Sequence, residues 1–254
     1  MNHPEPAQIQ IDEKELLNEF MSIEELLNKK NVFLNKNQRE KFFIFTEILM
    51  RYNSVLNLTA IKDIKGICLK HYYDSVLPLS ELDFPQNARV VDVGTGAGFP
   101  AIPLKIARED LSFTLLDSSK KRLDFIEKAC KAADLNSMKT LHSRAEDAGN
   151  SKEYREKYDI CVSRAVSQLN VLCEYCLPLV KVGGYFYAYK GAKGSDELEE
   201  AKNAIKTLGG EYVKTVYFDL PEENGQREII VIKKVVSTNP KYPRKGTKIS
   251  AKPL

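Results

Sequence analysis

The 254-residue sequence has no apolar run that approaches the roughly 20 residues needed to span a bilayer. It also lacks the basic and apolar start of a secretory signal or transit peptide, since its first residues are polar and acidic. The five cysteines are an odd number without the spacing of a disulfide framework. These absences argue against membrane and disulfide-rich secreted classes, and they predict a reduced protein of the cytoplasm.

Clustered metal ligands are also missing from the sequence. Cys173 and Cys176 form a C-x-x-C pair, but no histidine partner and no second cysteine pair accompanies them. The surrounding segment LNVLCEYCLPLV has the periodicity of an amphipathic helix, which favours core packing over zinc or redox chemistry. We therefore predict no metal site.

Acidic residues are absent from one end of the chain. Residues 233–254 carry seven lysines and arginines and no acid, whereas residues 1–27 carry seven acids and one lysine. The whole-chain charge of +3 is mild, so this asymmetry is the more informative feature. A basic segment of this kind indicates either a contact with a polyanion or a solubilising tail.

The order of hydrophobic patterns predicts the fold. Helical periodicity fills the first third of the chain, and from Arg89 onward strand-like and helical segments alternate. The strand candidates are RVVDV, SFTLLDS, MKTLHS, YDICVSRA, YFYAYKG, EYVKTVYFDL and REIIVIKKVV. Such alternation indicates a parallel sheet with helices on both faces. Only PEENGQ joins the last two strands, so they should form a hairpin whose final strand runs antiparallel to its neighbours.

This arrangement is typical of class I S-adenosylmethionine-dependent methyltransferases. We predict an α/β, doubly wound Rossmann-like fold with a mostly parallel seven-stranded sheet and a late antiparallel strand. Residues 1–82 are expected to form a helical extension packed on the core. Residues 83–254 are expected to form the S-adenosylmethionine-binding methyltransferase domain with a basic C-terminal tail.

The segment VVDVGTGAGFPAIPL contains the clearest binding motif. A predicted strand ends at Val93 and is followed by Gly94, Gly96 and Gly98, whose bare backbone permits positive φ and close approach of a ligand. A dinucleotide fingerprint fits only in the register Gly96-x-Gly98-x-x-Ala101, which is displaced from the strand end. The register therefore favours S-adenosylmethionine over NAD.

Acidic residues flank this loop. Asp92 precedes it, where a carboxylate can hold the ammonium group of the cofactor directly or through water. Asp117 ends the second predicted strand about 20 residues beyond the last glycine, which is the usual distance for a ribose contact. Ala145 and Glu146 follow the third strand and can meet an adenine edge. These positions predict a nucleoside-binding crevice at the strand ends.

Further motifs along the chain are NLTAI, HYYDSV, DVGTGAGFPAIPL, DSSKKRLDFI, RAE, SRAV, KG and the closing YPRKGTKISAKPL. From about Asn53 to its end, the sequence therefore resembles the bacterial small-subunit ribosomal RNA guanine-N7 methyltransferases, also called the glucose-inhibited division protein B family. The resemblance implies cofactor contacts at Gly94, Phe99, Ala145, Glu146 and Arg164, and a ribose region at Asp117, Ser118 and Ser119.

The resemblance also implies a reaction. A methyl group would pass from S-adenosyl-L-methionine, leaving S-adenosyl-L-homocysteine, to N7 of guanine 527 of 16S ribosomal RNA. The partner is then 16S ribosomal RNA or the small ribosomal subunit, and we expect a monomer without metal or membrane contact. Guanine N7 carries a lone pair and no proton, so its methylation needs proximity and alignment rather than a general base.

Polar residues near the predicted crevice are assigned to the substrate. Those expected to position the reactants, without acting as acid or base, are Arg164, Lys190, Asn57 (with its neighbour Thr59) and His71. The guanine should be unpaired or flipped, because side chains cannot reach the N7 edge in A-form RNA. Residues expected to contact RNA are Lys120, Lys121, Arg122, Lys190, Lys241, Arg244 and Lys245. Replacing the last three with alanine is expected to weaken RNA binding and flatten its salt dependence.

Three other functions stay open from the sequence alone. The chain could be a class I methyltransferase acting on another RNA, a protein or a small molecule, because the fold does not specify the substrate. It could also be a non-catalytic nucleoside-binding protein of ribosome assembly, or an NAD-dependent oxidoreductase. The basic tail and the family motifs argue against the first, and the loop register argues against the last.

Overall fold

The computed structural model describes residues 11–192, 194–222 and 224–254. The strands in these residues are β1 (Arg89–Val93), β2 (Ser112–Asp117), β3 (Met138–His142), β4 (Tyr158–Arg164), β5 (Val180–Gly191), β6 (Gly210–Asp219) and β7 (Gln226–Lys234). They form one sheet in the order β3-β2-β1-β4-β5-β7-β6. Neighbours among β1 to β5 pair in parallel, and β7 pairs antiparallel with both β5 and β6. The predicted mostly parallel sheet with a late antiparallel strand is confirmed.

Helices cover both faces of this sheet. The α-helices are α1 (Glu13–Asn28), α2 (Lys36–Leu56), α3 (Ile64–Gly66), α4 (Asp74–Val76), α5 (Ala101–Ala107), α6 (Lys120–Ala132), α7 (Ala145–Asn150), α8 (Leu169–Cys176), α9 (Gly194–Thr207) and α10 (Gly246–Ala251). A π-helix (Ile67–Tyr73) joins α3 to α4. Short 3-10 helices follow α4 (Leu77–Ser80) and α8 (Leu177–Leu179).

Alternating side chains of the central strands define two hydrophobic layers. Val90 of β1 faces the layer that contains α1, α2, α5 and α6, whereas the next residue, Val91, faces the layer of α7, α8 and α9. This alternation follows from the two-residue period of a β-strand. Both faces of the sheet are therefore buried, as expected for a doubly wound fold.

The N-terminal helices belong to the first of these layers. Asn35 and Gln38 form a reciprocal capping box that begins α2, which satisfies two backbone N–H groups at the helix start. The apolar faces of the helices meet in an aromatic cluster that includes Phe20, Phe42 and Tyr72. These side chains share one hydrophobic core with the sheet, so the boundary between residues 82 and 83 stays a prediction. Residues 1–10 of the predicted extension lie outside the described residues.

The basic C-terminal segment folds back onto α7 and α8. The buried carboxylate of Glu174 accepts hydrogen bonds from the Arg244 N–H at 2.8 Å and from the Arg244 guanidinium at 2.6 to 3.1 Å. The Arg155 guanidinium donates to the carbonyl of Tyr242 at 2.8 Å. Ile249 of α10 is fully buried. Much of the segment predicted to be a tail is therefore packed against the domain.

The cysteines are core residues. All five are free and buried, and Cys173 and Cys176 lie on α8 in the second hydrophobic layer, as predicted. Burial raises the pKa of both thiols well above the usual value. In the described part of the chain, no group of three or more metal-ligating side chains is placed to hold an ion, and no helix is long and apolar enough to cross a membrane.

Candidate active site

The carboxyl-terminal ends of β1, β2, β4 and β5 open on one cleft. β1 is flanked by β2 on one side and β4 on the other, which makes this edge the topological switch point where doubly wound sheets bind ligands. The cleft consists of a large cavity of about 670 Å³ and a small cavity of about 310 Å³. Gly94, Arg122 and Ala165 line both cavities, so the glycine loop (residues 94–99) lies at their junction.

The glycine loop is attached to the end of β2. The Gly94 N–H donates to the Leu116 carbonyl at 2.8 Å, and the Gly96 N–H donates to Asp117 Oδ2 at 3.0 Å. Gly94 has a φ of +73°, and a Cβ atom at this position would lie 2.5 Å from Val166 Cγ2. Glycine is required here both by the backbone conformation and by the close approach of Val166.

The carboxylate of Asp92 is fully buried behind the glycine loop. Its Oδ2 accepts a long hydrogen bond of 3.4 Å from the Ala101 N–H, while Oδ1 has no hydrogen-bond partner among the described residues. Burial raises the pKa of this carboxyl to about 7. A bound ammonium group would satisfy the unpaired oxygen and favour the charged form. The site therefore fits the amino-acid portion of S-adenosylmethionine.

The small cavity fits the nucleoside portion. Asp117, Ser118, Ala145 and Glu146, all predicted to contact the cofactor, line it. The Asp117 carboxylate is buried, and in addition to the glycine loop it accepts a 2.8 Å hydrogen bond from the Ser119 N–H. These bonds fix the carboxylate at the end of β2, where acidic residues of this fold accept ribose hydroxyls.

An ion-pair network forms one wall of the large cavity. Arg164, at the end of β4, donates to Asp74 Oδ2 at 2.7 Å, and Arg227 Nε lies 3.2 Å from Asp74 Oδ1. Arg164 Nη2 lies 3.3 Å from His71 Nδ1. Because a guanidinium can only donate, the imidazole Nδ1 must be the acceptor. The network therefore determines which nitrogen of His71 carries the proton.

His71 is a neutral side chain in this network. Its ring stacks on Phe99, with the ring centroids 4.2 Å apart and an interplanar angle of 14°. Burial, and next the positive charge of Arg164, lower its pKa to about 3. With Nδ1 accepting from Arg164, the proton resides on Nε2, which lies 2.8 Å from Thr59 Oγ1. The geometry suits positioning and leaves no role for His71 as a proton acceptor near neutral pH.

Lys190 also lines the large cavity. Its ammonium donates to Glu197 Oε2 and to the Ser167 carbonyl, both at 2.6 Å, and its side chain is 8% exposed. Glu228, also lining the cavity, accepts a hydrogen bond from Ser195 Oγ at 2.7 Å. Lys190 therefore reaches the cleft as predicted, but two of its three donors are already engaged.

Some predicted residues lie away from the cleft. Asn57 ends α2 in the left-handed conformation (φ +48°) and lines a separate cavity of about 250 Å³, so the structure does not bring it to the substrate side. Arg244 was expected to contact RNA from a free tail, but its guanidinium is held against α8 by the buried Glu174. Lys241 and Lys245 are exposed on the C-terminal segment.

The basic start of α6 divides between two environments. Lys120 and Lys121 are exposed, and Lys120 pairs with Asp124 at 2.8 Å. Arg122 instead lines both cavities, with Nη1 3.7 Å from Asp117 Oδ2. Arg122 was predicted to contact RNA, but the structure places it beside the nucleoside cavity.

Sequence reasoning missed several residues of the large cavity. Asp74 holds both Arg164 and Arg227, and its position within the motif HYYDSV was a usable signal. Arg227 and Glu228 lie near the start of β7, which runs antiparallel, so its amino-terminal end reaches the rim formed by the carboxyl-terminal ends of β4 and β5. The predicted hairpin therefore implied their location, although no motif pointed to them.

Comparison with known proteins identifies the family. The profile of the family described as rRNA small subunit methyltransferase G matches residues 38–230. The chain belongs to this family. A protein named ribosomal RNA small subunit methyltransferase G from Alkaliphilus oremlandii is 47% identical over 224 residues, which cover 88% of this chain and 94% of the relative. Proteins of the same name from Brevibacillus brevis (45% over 230 residues, 91% and 97%) and Staphylococcus carnosus (44% over 231 residues, 91% and 96%) are similar.

Membership in the methyltransferase G family confirms three predictions. The resemblance drawn from the motifs, the Rossmann-like methyltransferase fold and S-adenosyl-L-methionine as cofactor all hold. The matched region contains the glycine loop, the small cavity and the ion-pair network. The roles of individual residues stay predictions, supported by the geometry described above.

Proposed function

We propose that this member of the methyltransferase G family transfers a methyl group to N7 of an unpaired guanine in small-subunit ribosomal RNA. The relatives are named methyltransferases of that RNA, which supports it as the substrate. The choice of guanine 527 of 16S ribosomal RNA as the target rests on the resemblance of the sequence motifs to the guanine-N7 methyltransferases.

The cofactor residues occupy the junction and the small cavity. When bound, S-adenosylmethionine supplies a methyl group carried on a positively charged sulfur. Asp92 would hold the ammonium group of the cofactor, and Asp117 with Glu146 would hold its nucleoside. The glycine loop would lie beside its methionine and ribose portions. Phe99 and Arg164, which lie 5.2 Å apart from ring centroid to guanidinium carbon, would border its methyl-bearing end.

One observation supports an acceptor atom that carries no proton, such as guanine N7. The carboxylates and the imidazole that line the large cavity are each engaged: Asp74 by two arginines, Glu197 by Lys190, Glu228 by Ser195, and His71 by Arg164 and Thr59. Each of these four groups is already held by an ion pair or a hydrogen bond, which makes it a poorer general base than a free carboxylate or imidazole. Guanine N7 needs no such group, because its lone pair lies in the plane of the ring and carries no hydrogen. The cavity therefore suits N7 better than a hydroxyl or an amine.

The residues of the large cavity contribute position and exclude water. Arg164 and His71 are fixed by the Asp74 carboxylate and by stacking on Phe99, so a base entering the cavity meets a rigid polar wall. Leu58, Leu220 and other apolar side chains line the same cavity, which suits the faces of a purine. An enclosed base must leave its helix, which agrees with an unpaired or flipped guanine.

Radioactive methyl transfer tests the proposed function. The purified chain is incubated with S-adenosylmethionine carrying a tritiated methyl group and with small ribosomal subunits, free ribosomal RNA or total soluble protein. We expect label in small-subunit ribosomal RNA, released as 7-methylguanosine after digestion to nucleosides. A guanosine-free RNA of similar length serves as the substrate control.

Other results of that experiment would change the conclusion. Label in a different RNA or in a small molecule would keep the methyltransferase activity but replace the substrate. Label in small-subunit RNA at a base atom other than N7 would overturn the assignment of the acceptor. Comparison of free RNA with subunits also decides which of the two is the better substrate.

A further inference from the structure

Thr59 is held unusually firmly for a loop residue. It lies between α2 and α3, outside regular secondary structure, and it lines the large cavity. The buried side chain of Asn53 donates to the Thr59 carbonyl at 3.0 Å and accepts from the Thr59 N–H at 2.9 Å. Two more hydrogen bonds reach the side chain, from His71 and from the Ile61 N–H. Residues fixed in this way can present a group to a ligand at little entropic cost.

The hydrogen bonds of the Thr59 hydroxyl leave only its hydrogen available for a further bond. A hydroxyl offers one hydrogen and two lone pairs. Oγ1 accepts from His71 Nε2 at 2.8 Å and from the Ile61 N–H at 3.1 Å, which uses both lone pairs. Across residues 11–192, 194–222 and 224–254, no other group accepts the hydroxyl hydrogen. The hydroxyl is therefore a donor toward the cavity and cannot accept from a substrate.

The ion-pair network determines this polarity. Arg164 Nη2 can only donate to His71 Nδ1, and Asp74 holds Arg164 in place. His71 must then carry its proton on Nε2 and donate it to Thr59. In the other tautomer of His71, with the proton on Nδ1, Nε2 would accept a hydrogen bond from the Thr59 hydroxyl. The hydroxyl would then have no hydrogen left to donate to a ligand. The ion pair of Asp74 with Arg164 thus orients the Thr59 hydroxyl in the cavity through the neutral imidazole of His71.

We propose that the Thr59 hydroxyl donates a hydrogen bond to O6 of the target guanine and thereby selects guanine over adenine, an inference that rests on the proposed function. O6 is an acceptor on the same edge of the base as N7, whereas adenine presents an amino group there. Because the Thr59 hydroxyl can donate but not accept, it can form a hydrogen bond with the guanine carbonyl. Against the amino group of adenine it would stay unpaired. Contact with O6 alone also leaves N7 free to react.

Base substitution in the RNA tests this assignment. The target guanine is replaced with hypoxanthine, which retains O6 and N7, or with 2-aminopurine, which retains N7 but lacks O6. We measure kcat/KM for the wild-type chain and for Thr59→Val and Thr59→Ser. Thr59→Val is expected to lower kcat/KM on guanine and hypoxanthine by about 10- to 100-fold and on 2-aminopurine by less than about 3-fold, because only O6 pairs with the hydroxyl. Thr59→Ser is expected to retain activity within about 5-fold of wild type on all three bases.

Controls separate this inference from folding and from the proposed function. Thr140→Val changes a threonine of β3 that does not line the cleft, and it should leave all three values unchanged. Affinity for S-adenosylhomocysteine, measured by calorimetry, should be equal in wild type and Thr59→Val. Equal losses on all three bases, or no loss with Thr59→Val, would overturn the role of Thr59. Failure of the wild-type chain to methylate guanine N7 would instead overturn the proposed function.

Discussion

The two halves of the cleft are built in different ways. The small cavity and the glycine loop are built mainly from bare glycines, backbone N–H groups and carboxylates at strand ends within residues 92–146, and Ala165, Val166 and Tyr175 complete the lining. The large cavity is instead formed by side chains from residues 58–229, which meet through the ion pairs of Asp74 with Arg164 and Arg227. Most of the cofactor site can thus come from one segment of chain, whereas the substrate site needs several distant segments to meet.

This difference predicts separable effects of substitution. Changes in the small cavity should reduce affinity for the cofactor, and changes in the large cavity should reduce turnover of RNA. The first half depends on shape and backbone conformation. The second depends on the charge and polarity of a connected network, in which one residue acts through the next.

The largest effect is expected from the glycine loop. Gly94→Ala places a methyl group 2.5 Å from Val166 Cγ2 and keeps an alanine at a φ of +73°, so we expect affinity for S-adenosylmethionine to fall by about 100-fold. Gly183→Ala is the matched control, because Gly183 has a φ of +89° but no atom lies within 4 Å of the point that the added methyl group would occupy. Calorimetry on both variants checks this expectation, and equal affinities would show that the bare backbone at Gly94 does not contribute to cofactor binding.

Substitution of Asp74 in the ion-pair network is expected to lower turnover, by a smaller factor than Gly94→Ala lowers cofactor affinity. Asp74→Asn leaves Arg164 and Arg227 without their buried carboxylate, so we expect kcat to fall by about 50-fold while cofactor affinity changes less than about 3-fold. Asp110→Asn breaks a different ion pair, with Arg108, away from the cleft and serves as control. A large drop in cofactor affinity with Asp74→Asn would show that the two halves are not separable.

The pH dependence of cofactor binding gives the third effect. Because burial raises the pKa of Asp92 to about 7, we expect affinity for the cofactor to fall about 10-fold between pH 8 and pH 6, as the carboxylate becomes protonated. Since this pKa lies above the ordinary value, the contribution of Asp92 to stability without ligand is present at low pH and is lost as pH rises through 7. Asp92→Asn should therefore bind weakly with a flatter pH profile, yet unfold at a higher temperature than wild type at pH 8. Calorimetric titration and thermal melts at three pH values check both outcomes.

The smallest effect concerns the C-terminal segment. Replacing Lys241 and Lys245 with alanine should weaken RNA binding by about 5-fold at moderate salt and reduce the magnitude of the salt slope by about 2, without loss of stability. Arg244→Ala is the contrasting variant, because removing the partner of the buried Glu174 should lower the free energy of unfolding by about 3 kcal/mol. The alanine substitution of all three residues would mix these effects. An unchanged salt slope in the double lysine variant would assign RNA contact to another surface.

Sequence and structure agree best where the chemistry is local. The strand that ends at Val93, the glycine loop and Asp117 could be predicted because strand ends and glycines leave signals within a few residues. The contact of Thr59, His71 and Arg164 could not, since it depends on how the π-helix packs against the end of β4. Asn57 shows the limit of motif reasoning, because its neighbour two residues on reaches the cavity and Asn57 itself ends a helix.

The distribution of charge along the sequence identified a basic C-terminal segment but did not predict where that segment lies in the fold. The basic C-terminal segment was expected to be free for RNA, yet the buried carboxylate of Glu174 binds Arg244 and places it against α8. Glu174 gives no signal in the sequence, because it lies in an apolar helix far from the segment it holds. Ion pairs between distant elements follow from tertiary packing, so they emerge only once the fold is known.

The most direct test of the central claim is to remove the acceptor atom. Small-subunit ribosomal RNA is assembled with 7-deazaguanosine at the methylated position, which replaces N7 by carbon and keeps the base-pairing edge and O6. The wild-type chain should bind this RNA about as well as the unmodified RNA and transfer no methyl group to that base. Methyl transfer to the 7-deazaguanosine residue at a rate near that of guanosine would contradict N7 as the acceptor.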